Sequence, residues 1–374
     1  MIQLNKTRIA LISSHNNTFL TNSNLLSQTN LEFIFVGCDQ DDLAQCSFIS
    51  EKVIYKSHEN CNGSMDVFIK NTDLIENLPE IVLFEVDDAM YQIWNSDLSE
   101  STKLNLLPIK NPRFMNMAGS KVGQIETFKT LGIRHPHSQI FTNDSCKPEI
   151  AYPFMAKGDR WAGGVFVRVI NNYQEFVTWR ESHEPKFLIQ EIIHGQEYSV
   201  DAVFRKGQLT YCAISNMHDL LRGNGPAARR TYQKDIPQEV LNMFRKVGLV
   251  CQIDGFVNGT VFQEFTTGNW LLFEFDCRIN IWFHVSQKLG FSLDKNFEYM
   301  KGEKVLLNDS LSRNIEVIDV RRYKEFLRIR ENSDSIAFYK YWRSLLKNKL
   351  NGGVLFESIP KSSHRIIKKL FNIS

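Results

Sequence analysis

The first hundred residues alternate short apolar runs with polar stretches. Apolar runs without polar alternation are typical of strands in a parallel sheet that is covered on both faces. Such runs predict strands at residues 8–13, 31–37, 52–55 and 80–86. Residues 65–78 carry apolar side chains at helical spacing and predict a helix between two of these strands. The pattern therefore predicts an open α/β unit in the N-terminal part.

The pattern changes at residues 108–112, where two prolines favour a domain boundary. Beyond this point, apolar positions at three-residue spacing predict a helix from about Ser120 to Gly132, because glycine accommodates the left-handed turn that closes a helix. Residues 186–193 then predict a buried strand. A second unit is therefore expected to begin with a capped helix.

Longer strands separated by turn residues predict two antiparallel hairpins. Their strands are residues 197–204 with 208–215, and residues 255–265 with 270–276. Between the hairpins, a one-sided apolar pattern predicts an amphipathic helix with Asp235 as its cap and Gly248 at its end. This second unit is therefore predicted to be of the α+β type.

The C-terminal part is predicted to be mixed helix, with helices at residues 323–330 and 335–349. One hydrophobic core rarely serves a chain of 374 residues, so several units are expected. The predicted fold class combines α/β and α+β. We place a Rossmann-like domain at residues 1–110, a larger two-lobed domain at 111–300 and a basic, mixed helical extension at 301–374.

Composition and charge exclude several classes of protein. Hydrophobic residues make up 43% of the chain, which excludes wholesale disorder. The formal net charge of +2 is too balanced for a protein whose main partner is a nucleic acid. Basic residues concentrate at the end of the chain, where residues 301–374 hold 16 basic and 8 acidic side chains. Residues 361–371 could contact an anionic membrane surface weakly, or form a solvated helix on their own domain.

Seven cysteines without a CxxC spacing predict neither a disulfide framework nor a structural zinc site. The N-terminal apolar run is too short for the core of a signal peptide, and no stretch approaches the roughly 18 apolar residues of a spanning helix. These features predict a cytoplasmic protein. They leave its oligomeric state open.

The first group of candidate site residues surrounds Lys157, which ends an apolar run and precedes a glycine-rich turn with Gly163 and Gly164. A lysine beside such a turn can neutralise phosphate oxygens while backbone N–H groups approach them closely. A solvated lysine at the end of a strand is the alternative. The turn lacks the pattern of a Walker A loop. No GxGxxG follows the first strand, which disfavours a dinucleotide site and a nucleotide-dependent oxidoreductase.

A second group lies in residues 187–204, at the end of the predicted buried strand. Glu191 and Ile193 could present main-chain N–H and C=O groups to an adenine ring between apolar walls. Glu197 could accept hydrogen bonds from ribose hydroxyls. The alternative is an ordinary hairpin in which Glu197 faces water.

A third group, Glu274, Asp276 and Arg278, occupies alternate positions at the end of a predicted strand. Side chains two residues apart in a strand project from one face. Two carboxylates on one face suit Mg²⁺, which binds oxygen ligands together with nucleotide phosphates. Arg278 could neutralise a transferred phosphate. A solvated sheet edge is the alternative, although the flanking residues are nearly all apolar.

A fourth group lies in residues 218–230, which predict an irregular basic loop. Arg222, Arg229 and Arg230 stand there beside glycines and a proline. Such a loop could fold over an anion or an acyl phosphate. A basic surface loop without a ligand is equally consistent with these residues.

These four groups, in their order along the chain, resemble the ATP-grasp superfamily of carboxylate–amine ligases. The resemblance covers most of residues 1–290. It implies a preATP-grasp domain at residues 1–110 and an ATP-grasp domain at 111–300, with a lid over about residues 135–188 and a C-terminal lobe over about 189–300. It also implies ATP and Mg²⁺ as cofactors, and a small-molecule carboxylate and an amine as substrates.

The resemblance assigns most of the candidate residues to the nucleotide. It implies phosphate-binding lysines, a glycine loop in the lid, an adenine-binding hinge and a ribose-binding glutamate. The phosphate-binding lysines are Lys121 and Lys157, and the glycine loop contains Gly163 and Gly164. The hinge contains Glu191 and Ile193, and the ribose-binding glutamate is Glu197. Catalytic roles are implied for Lys157 and Arg278, and the basic loop adds Arg222 as a catalytic candidate.

For the metal, Glu274, Asp276 and Arg278 resemble the E-x-N-x-R motif of the family, with aspartate in place of asparagine. The family's other metal ligand falls on Phe262, so the sequence departs from the pattern at the second Mg²⁺. Glu264 lies two residues further along the strand, on the same face, and could replace that ligand if the strand shifts its register.

The implied activity is that of an ADP-forming, ATP-dependent carbon–nitrogen ligase, which converts a carboxylate into an acyl phosphate for capture by an amine. The implied substrates are amino acids, peptides or sugar-linked compounds of specialised metabolism or surface polysaccharide biosynthesis. A non-catalytic or regulatory ATP-binding protein of the same fold is the alternative, and Phe262 is the residue that favours it.

Overall fold

The protein is described here from a computed structural model. The structure describes residues 7–14, 18–38, 41–56, 65–79, 81–142, 147–160, 166–182, 186–221, 226–294, 313–331, 334–351 and 353–356. Residues 361–371, for which membrane contact and a solvated helix are the two alternatives, lie outside these ranges. Gly163, Gly164 and Arg222 also lie outside them.

A four-stranded parallel sheet forms the N-terminal part of the chain. Its strands are β1 (Arg8–Ile12), β2 (Glu32–Cys38), β3 (Ile49–Lys56) and β4 (Ile81–Phe84). They are arranged in the order β3-β2-β1-β4 and pair in parallel throughout. The central strand β1 is almost wholly buried, as its continuous apolar sequence predicts. All four predicted strands are confirmed.

In the described part of this region, six short helices accompany the sheet. They are α1 (Thr18–Thr21), α2 (Ser23–Ser27), α3 (Asp66–Ile69), α4 (Thr72–Glu76), α5 (Asp87–Trp94) and α6 (Glu100–Leu106). The single helix predicted at residues 65–78 is wrong, because it is divided into α3 and α4. The division falls at Asn71, which leaves the helical conformation and whose side-chain amide donates to the carbonyl of Val67. Asparagine competes with the helix for backbone hydrogen bonds in this way.

The connection to the second unit contains a 3₁₀ turn (Pro112–Met117) and helix α7 (Lys121–Leu131). Ser120 caps α7, because its hydroxyl accepts a hydrogen bond from the N–H of Gly123. Gly132 ends the helix at φ 60°, in the left-handed region that favours glycine. Both predicted ends of this helix are confirmed.

A small antiparallel sheet follows α7. Its strands are β5 (Ser138–Phe141), β6 (Phe154–Gly158), β7 (Val167–Ile170) and β8 (Phe187–Glu191), in the order β5-β8-β6-β7. Helix α8 (Tyr173–Glu181) packs on one face of it and contributes Phe176 and Trp179 to an aromatic core with Phe141, Phe154 and Phe187. The other face is left for the functional site.

The largest element is a seven-stranded sheet. Its strands are β9 (Gly195–Arg205), β10 (Gln208–Leu220), β11 (Ala227–Tyr232), β12 (Gly255–Glu264), β13 (Trp270–Asp276), β14 (Ile315–Asp319) and β15 (Val354–Phe356). They are arranged in the order β13-β12-β9-β10-β11-β14-β15. The hairpins β9–β10 and β12–β13 are confirmed, with Lys206 and Gly207 at positive φ in the first turn and Gly268 at positive φ in the second.

Helix α9 (Gln238–Cys251) packs on one face of the large sheet. The sequence places both of its ends wrongly. Pro237 precedes the first turn without a side-chain cap, so Asp235 is not the cap. The helix also continues through Gly248, where an added Cβ would lie 2.1 Å from the ring of Phe204. Gly248 therefore allows close packing of helix on sheet and does not end the helix.

The irregular loop predicted at residues 218–230 is also wrong for most of its length. Strand β10 extends to Leu220, and β11 pairs with it so that Arg229 lies opposite His218 and Arg230 opposite Met217. Further along, strands β14 and β15 extend the large sheet beyond β11, and neither strand is predicted from the sequence. Helices α10 (Val320–Arg330) and α11 (Asp334–Leu350) confirm the two predicted C-terminal helices.

Two further observations concern the cysteines and the lengths of the helices. Cys46, Cys212, Cys251 and Cys277 are free thiols, whereas Cys38 takes part in a disulfide. Within the described ranges, none of the helices has the length and apolar character needed to cross a bilayer.

Candidate functional site

Strand β13 carries the two predicted metal carboxylates on the surface that faces α7. Glu274 lies opposite Thr260 of β12, and Asp276 lies opposite Asn258. The register shifts between Thr260 and Val261, which indicates a bulge that adds a residue to β13. Because of this bulge, Phe273 also turns towards the site, where its ring packs on other site residues. The predicted alternation is therefore kept for Glu274 and Asp276 but is broken at Phe273.

Each carboxylate is paired with a cation of the protein. Lys121 Nζ, in the first turn of α7, lies 3.5 Å from Glu274 Oε1. Arg278 Nη2 donates to Asp276 Oδ2 at 2.9 Å, and Arg278 Nε donates to Asp87 Oδ2 at 2.6 Å. The site therefore joins three parts of the chain, because Asp87 begins α5 of the N-terminal unit.

Close charges in a buried setting shift the pKa of each carboxyl group differently. Burial opposes ionisation of Glu274, but Lys121, Lys157 and Arg278 outweigh it and lower its pKa. Burial raises the pKa of Asp276 well above its usual range, and the neighbouring Asp87 and Glu274 add to this effect. The site thus favours the ionised form of Glu274, whereas ionisation of Asp276 is costly until another cation binds.

The two cations respond in the opposite direction. Burial alone would lower the pKa of Lys121, but Glu274, Asp276 and Asp87 together raise it. Burial also disfavours the charge on Arg278, but Asp87 and Asp276 raise its pKa further above the ordinary value. Both side chains therefore remain cationic while they are paired with these acids.

Lys157 extends from the end of β6 in the small sheet towards β13 of the large sheet. Its side chain is only 4% exposed. Lys157 Nζ donates to Gln190 Oε1 at 2.6 Å and lies 3.4 Å from the centroid of the Phe273 ring. Burial lowers the pKa of Lys157 to about 7, although Glu274 acts in the opposite direction. The amino group of Lys157 is thus only partly protonated near pH 7 in the free protein.

The predicted adenine and ribose residues lie at the junction of the small and large sheets. Glu191 is the last residue of β8, and its N–H donates to His137 O while its Oε1 accepts from His137 N. Ile193 follows in the connection to β9 and is partly buried. Glu197 lies on β9 opposite Phe262, and burial together with Glu274 raises its pKa to about 6. The side chain of Glu191 therefore has a local structural role.

Glu264 does not join the metal carboxylates. It lies at the end of β12, where its Oε2 accepts from Thr267 Oγ1 in the hairpin turn. Four residues separate it from Thr260, the partner of Glu274, which is about 13 Å along a strand. Phe262 packs its ring 4.9 Å from that of Phe273. Neither residue places a third oxygen ligand beside Glu274.

Gly195 is the first residue of β9. It pairs with Glu264 at the start of β9. A Cβ at this position would lie 2.5 Å from the carbonyl oxygen of Gln263. Glycine is thus required because β9 and β12 approach closely at this end of the sheet.

Asp159 joins the small sheet to α7. Its Oδ1 accepts from Ser120 Oγ at 2.7 Å and from the N–H of Val122 at 2.9 Å, and its carbonyl accepts from the N–H of Lys121 at 3.0 Å. A buried carboxylate at a helix N-terminus is stabilised by those donors and by the helix dipole. It therefore positions Lys121 relative to Lys157.

Three other polar residues, Gln124, Gln190 and Asp87, organise the site, and the roles of their side chains are not predicted from the sequence. Gln124 accepts from the N–H of Phe275 and donates to Asp276 Oδ1, and Gln190 holds Lys157 while donating to Ser138 Oγ. Gln190 is 0% exposed. A signal was present for Asp87, since two aspartates follow a predicted strand directly, and for Gln190, which interrupts an apolar strand.

The donor set suits one Mg²⁺ ion that is shared with phosphate. Mg²⁺ is commonly bound through one or two carboxylates together with substrate phosphates and water. Glu274 and Asp276 supply two such groups, and Asp87 Oδ1 is buried without a hydrogen-bond partner. In the described part of the chain, no group of three or more acidic, histidine or cysteine residues is arranged to hold a metal ion by itself. The residues therefore fit a metal that arrives with a nucleotide.

Comparison with known proteins identifies the fold around this site. Residues 118–251 match the family model of the ATP-grasp domain. N5-carboxyaminoimidazole synthetase from Staphylococcus aureus, in complex with ADP, superposes with a TM-score of 0.60 at 12% identity, covering 83% of this chain and 81% of that chain.

Two other solved structures have the same fold. The biotin carboxylase domain of the 2-oxoglutarate carboxylase from Hydrogenobacter thermophilus gives a TM-score of 0.59 at 12% identity over 83% of this chain and 73% of that chain. The L-amino acid ligase from Bacillus licheniformis gives 0.51 at 15% identity over 74% and 68%. The predicted fold class and the resemblance are thus confirmed: residues 118–251 match the ATP-grasp domain, and the chain has the fold of these solved structures.

Proposed function

We propose that the protein is an ATP-dependent, ADP-forming ligase that activates a carboxylate as an acyl phosphate and transfers it to an amine. The observation that carries this proposal is the cluster of Lys121, Lys157, Glu274, Asp276 and Arg278. These residues come from a helix, the small sheet and the end of the large sheet, and they meet in one cleft. Alternating cations and carboxylates of this kind suit a triphosphate with its metal ion.

The cations of the cluster would bind the phosphates of ATP. Lys121, from α7, lies 3.5 Å from Glu274, and Lys157, from the small sheet, lies over the ring of the adjacent Phe273. A phosphate chain between them would replace Glu274 as their counter-charge. Glu197 would accept from the ribose hydroxyls, and the main chain at Glu191 and Ile193 would contact adenine. Gly163 and Gly164 remain predicted lid residues.

Glu274 and Asp276 would hold Mg²⁺. When bound, the ion neutralises phosphate charge and fixes the orientation of the phosphate oxygens. Two effects would prepare Asp276 to bind the ion. Gln124 and Arg278 orient Asp276, and the raised pKa of Asp276 falls as the cation arrives, so that its carboxylate becomes ionised.

Positioning supplies most of the acceleration in reactions that transfer a phosphoryl group. The carboxylate substrate would lie beside Arg278, whose guanidinium faces the charge that develops during transfer. Closure of the small sheet over the cleft would keep water from the acyl phosphate until an amine reacts with it. The products are ADP, phosphate and the amide.

The substrates that we propose are a narrower group than the fold alone indicates. We propose an amino acid, a short peptide or a sugar-linked compound, and a place in specialised metabolism or surface polysaccharide biosynthesis. The likeness to an L-amino acid ligase supports the first of these. We further propose a cytoplasmic location, which a supply of ATP requires.

ADP release tests the proposal directly. Purified protein is incubated with ATP and Mg²⁺ and with pools of amino acids, dipeptides and sugar acids. ADP that appears only when Mg²⁺, a carboxylate and an amine are all present supports the ligase and identifies the substrate pool. ATP that binds without turnover in any pool contradicts it.

A non-catalytic ATP-binding protein is the second candidate, favoured by Phe262. This residue leaves Glu274 and Asp276 without a third carboxylate, and both are already paired with protein cations. The dissociation constant of ATP separates the two candidates when it is measured with and without Mg²⁺. A ligase requires tighter binding with the metal, whereas equal affinities favour the binding protein.

A further inference from the structure

Helix α11 is held on the protein by one of its faces. Ala337 and Leu345 are buried in a cluster with Ile318 of β14. Asn348 is also buried, and its side-chain amide donates to the carbonyl of Glu316 at 3.2 Å. These positions are separated by eight and three residues, so they lie on one side of the helix. The opposite side of α11 is therefore directed away from the sheet.

The outward side of α11 carries a row of apolar side chains. Ile336, Tyr339, Leu346 and Leu350 are between 50% and 77% exposed. Their spacings of three, seven and four residues place them on one side of a helix. The row is about 21 Å long, at 1.5 Å for each residue. We call these four residues the α11 stripe.

Exposed apolar residues are concentrated in this part of the molecule. Of twelve exposed large apolar side chains in the described ranges, six lie within residues 329–350. These six are Ile329, Ile336, Tyr339, Trp342, Leu346 and Leu350. Single exposed apolar residues are normal on a soluble protein, whereas a contiguous group of them marks an interaction surface.

Basic side chains border the α11 stripe along both of its long edges. Helical spacing places Lys349 at one edge and Arg343, Lys347 and Lys340 along the other, and all four residues are exposed. Residues 320–350 together contain nine basic and three acidic residues. A partner of this surface must therefore accept apolar side chains and carry negative charge around them.

Charge decides between the partners that could cover the α11 stripe. A second copy of this chain would bring nine further basic residues to the same surface. Residues 357–374 of the chain itself hold four basic residues and one acidic residue. Both partners would be repelled. An anionic bilayer has both required properties, because apolar side chains enter the boundary between headgroups and acyl chains while lysine and arginine reach the headgroups.

We propose that the α11 stripe and its basic border bind the surface of an anionic lipid membrane. Helix α11 would lie in the plane of the interface, with the apolar stripe in the bilayer and the cations on either side of it at the headgroups. The tyrosine suits this position, because its ring is apolar and its hydroxyl can stay in contact with water. The proposal is independent of the ligase function.

Membrane binding through α11 would leave the proposed metal site accessible. Thr231 of β11 lines a cavity together with Ser344 and Lys347 of α11, so α11 lies on the face of the large sheet that bears Thr231. Tyr232, the next residue, projects from the other face. A row of directly paired residues connects it with Glu274, through Ser215, Ser199 and Thr260. The two proposed sites therefore lie on opposite faces of one sheet.

Sedimentation with lipid vesicles tests the apolar part of the surface. Vesicles of phosphatidylcholine alone are compared with vesicles that also contain about 30% phosphatidylserine. The proteins are the full-length wild type, Leu346→Gln and Leu249→Gln. Leu249 is the matched control, because it is 63% exposed on α9 whereas Leu346 is 62% exposed. We expect the wild type and Leu249→Gln to bind the acidic vesicles equally, and Leu346→Gln to bind about tenfold more weakly. Neutral vesicles should bind the wild type about tenfold more weakly than acidic ones.

A second set of variants tests the charged border. We expect Arg343→Gln to bind acidic vesicles about fivefold more weakly, since each basic residue near an anionic surface contributes about 1 kcal/mol. Lys246→Gln, at an exposed position of α9, should bind like the wild type. The combination of Lys368→Gln and Lys369→Gln tests the C-terminal residues, and its binding should stay within about twofold of the wild type.

Four outcomes would overturn the proposal. They are no binding of the wild type to acidic vesicles, equal losses in Leu346→Gln and Leu249→Gln, a loss confined to the variant at Lys368 and Lys369, and a wild-type dimer that Leu346→Gln dissociates in sedimentation velocity. The last result would assign the α11 stripe to a second copy of the chain.

Folding and nucleotide binding are checked on the same variants. Leu346→Gln should unfold at the temperature of the wild type, because it changes an exposed side chain, and its dissociation constant for ATP should change less than about twofold. If Leu346→Gln unfolds early, Arg343→Gln still tests the surface. Absence of ATP binding in the wild type would remove the proposed ligase and leave the vesicle result standing.

Discussion

The charge of Lys157 depends on what surrounds it. Burial lowers its pKa to about 7, so the free protein loses this proton as the pH rises through 7. Phosphate oxygens beside Nζ would favour the protonated form and raise the pKa again. Binding of ATP is then accompanied by proton uptake above pH 7.

The resulting prediction concerns the pH dependence of ATP affinity. We expect the dissociation constant of ATP to rise above pH 7, by up to about tenfold per pH unit until the pKa of the complex is reached. Lys157→Arg should lack this contribution, since arginine stays charged, while it keeps every other titration of the protein and of ATP. Fluorescence titrations between pH 6.5 and about 9 provide the measurement. Parallel profiles for the two proteins would show that Lys157 does not titrate on binding.

Glu274 and Glu264 provide a matched pair on one hairpin. Glu274 contacts Lys121 within the cluster, whereas Glu264 is hydrogen-bonded in the turn. We expect Glu274→Gln to reduce ADP release about 100-fold or more, because it removes one of the two carboxylates proposed to hold Mg²⁺. Glu264→Gln should change it less than about twofold. Circular dichroism checks that both variants are folded, and similar activities would remove Glu274 from the metal site.

Some site residues are visible in the sequence because one local pattern contains them. Glu274 and Asp276 share a strand, and Lys157 ends one. Other residues act through partners that are remote in the chain. Gln190 holds Lys157 from an adjacent strand of the small sheet, and Gln124 reaches Asp276 across 152 positions. Spacing rules contain no information on such pairs, which depend on how the sheets and α7 pack.

At the scale of elements, the joint between β6 and α7 controls the distance between two of the cations. Asp159 follows β6 directly and accepts from both the Ser120 hydroxyl and the N–H of Val122. The same contacts hold the first turn of α7, which carries Lys121. A change at Asp159 should therefore affect both the stability of the joint and the affinity for phosphate.

We predict that Asp159→Ala lowers the free energy of unfolding by about 1–3 kcal/mol, because two buried donors lose their acceptor. The affinity for ATP should fall as well, since Lys121 is no longer held relative to Lys157. Urea denaturation and ATP titration provide the two measurements. Ser120→Ala is the comparison, because it removes one of the same hydrogen bonds, together with the cap on the N–H of Gly123, and leaves the Asp159 carboxylate in place. Wild-type affinity in both variants would contradict a positioning role.

The elements that the sequence mispredicts share one physical cause. Glycine and proline favoured a loop at residues 218–230, but pairing with β10 keeps Arg229 and Arg230 in a strand. Gly248 suggested a helix end, but its missing side chain makes room for Phe204. In each case a contact with a distant segment outweighs the local preference of the residue.

At the scale of the whole molecule, the C-terminal part completes the large sheet. Strand β14 covers β11 through four paired residues, Arg229 to Tyr232 with Ile318 to Ile315. Helix α10 packs beside it and buries Val320, Tyr323 and Leu327 with Ala228 of β11. The basic extension, which the sequence suggests as an appendage, therefore belongs to the same layer as the candidate site.

Removal of this part should unfold the sheet that carries Arg230. A chain that ends at residue 312 loses at least five buried apolar side chains of β14 and α10. Each contributes about 1.5–3 kcal/mol, and the total is comparable with the roughly 5–15 kcal/mol by which a domain is stable. It also leaves β11 as an unprotected edge, which favours aggregation. We expect the shortened chain to be insoluble or to elute as aggregate in gel filtration.

The matched control is a chain that ends at residue 356, since it keeps all seven strands of the large sheet. We expect this chain to elute like the full-length protein and to unfold at a similar urea concentration. A chain ending at residue 312 that stays monomeric and unfolds cooperatively at the same urea concentration would show that β14 and β15 are additions to a sheet that is already stable. In that case β11 must be covered in some other way, because an uncovered edge strand would expose Tyr232 and Ala228, which are buried in the full-length protein.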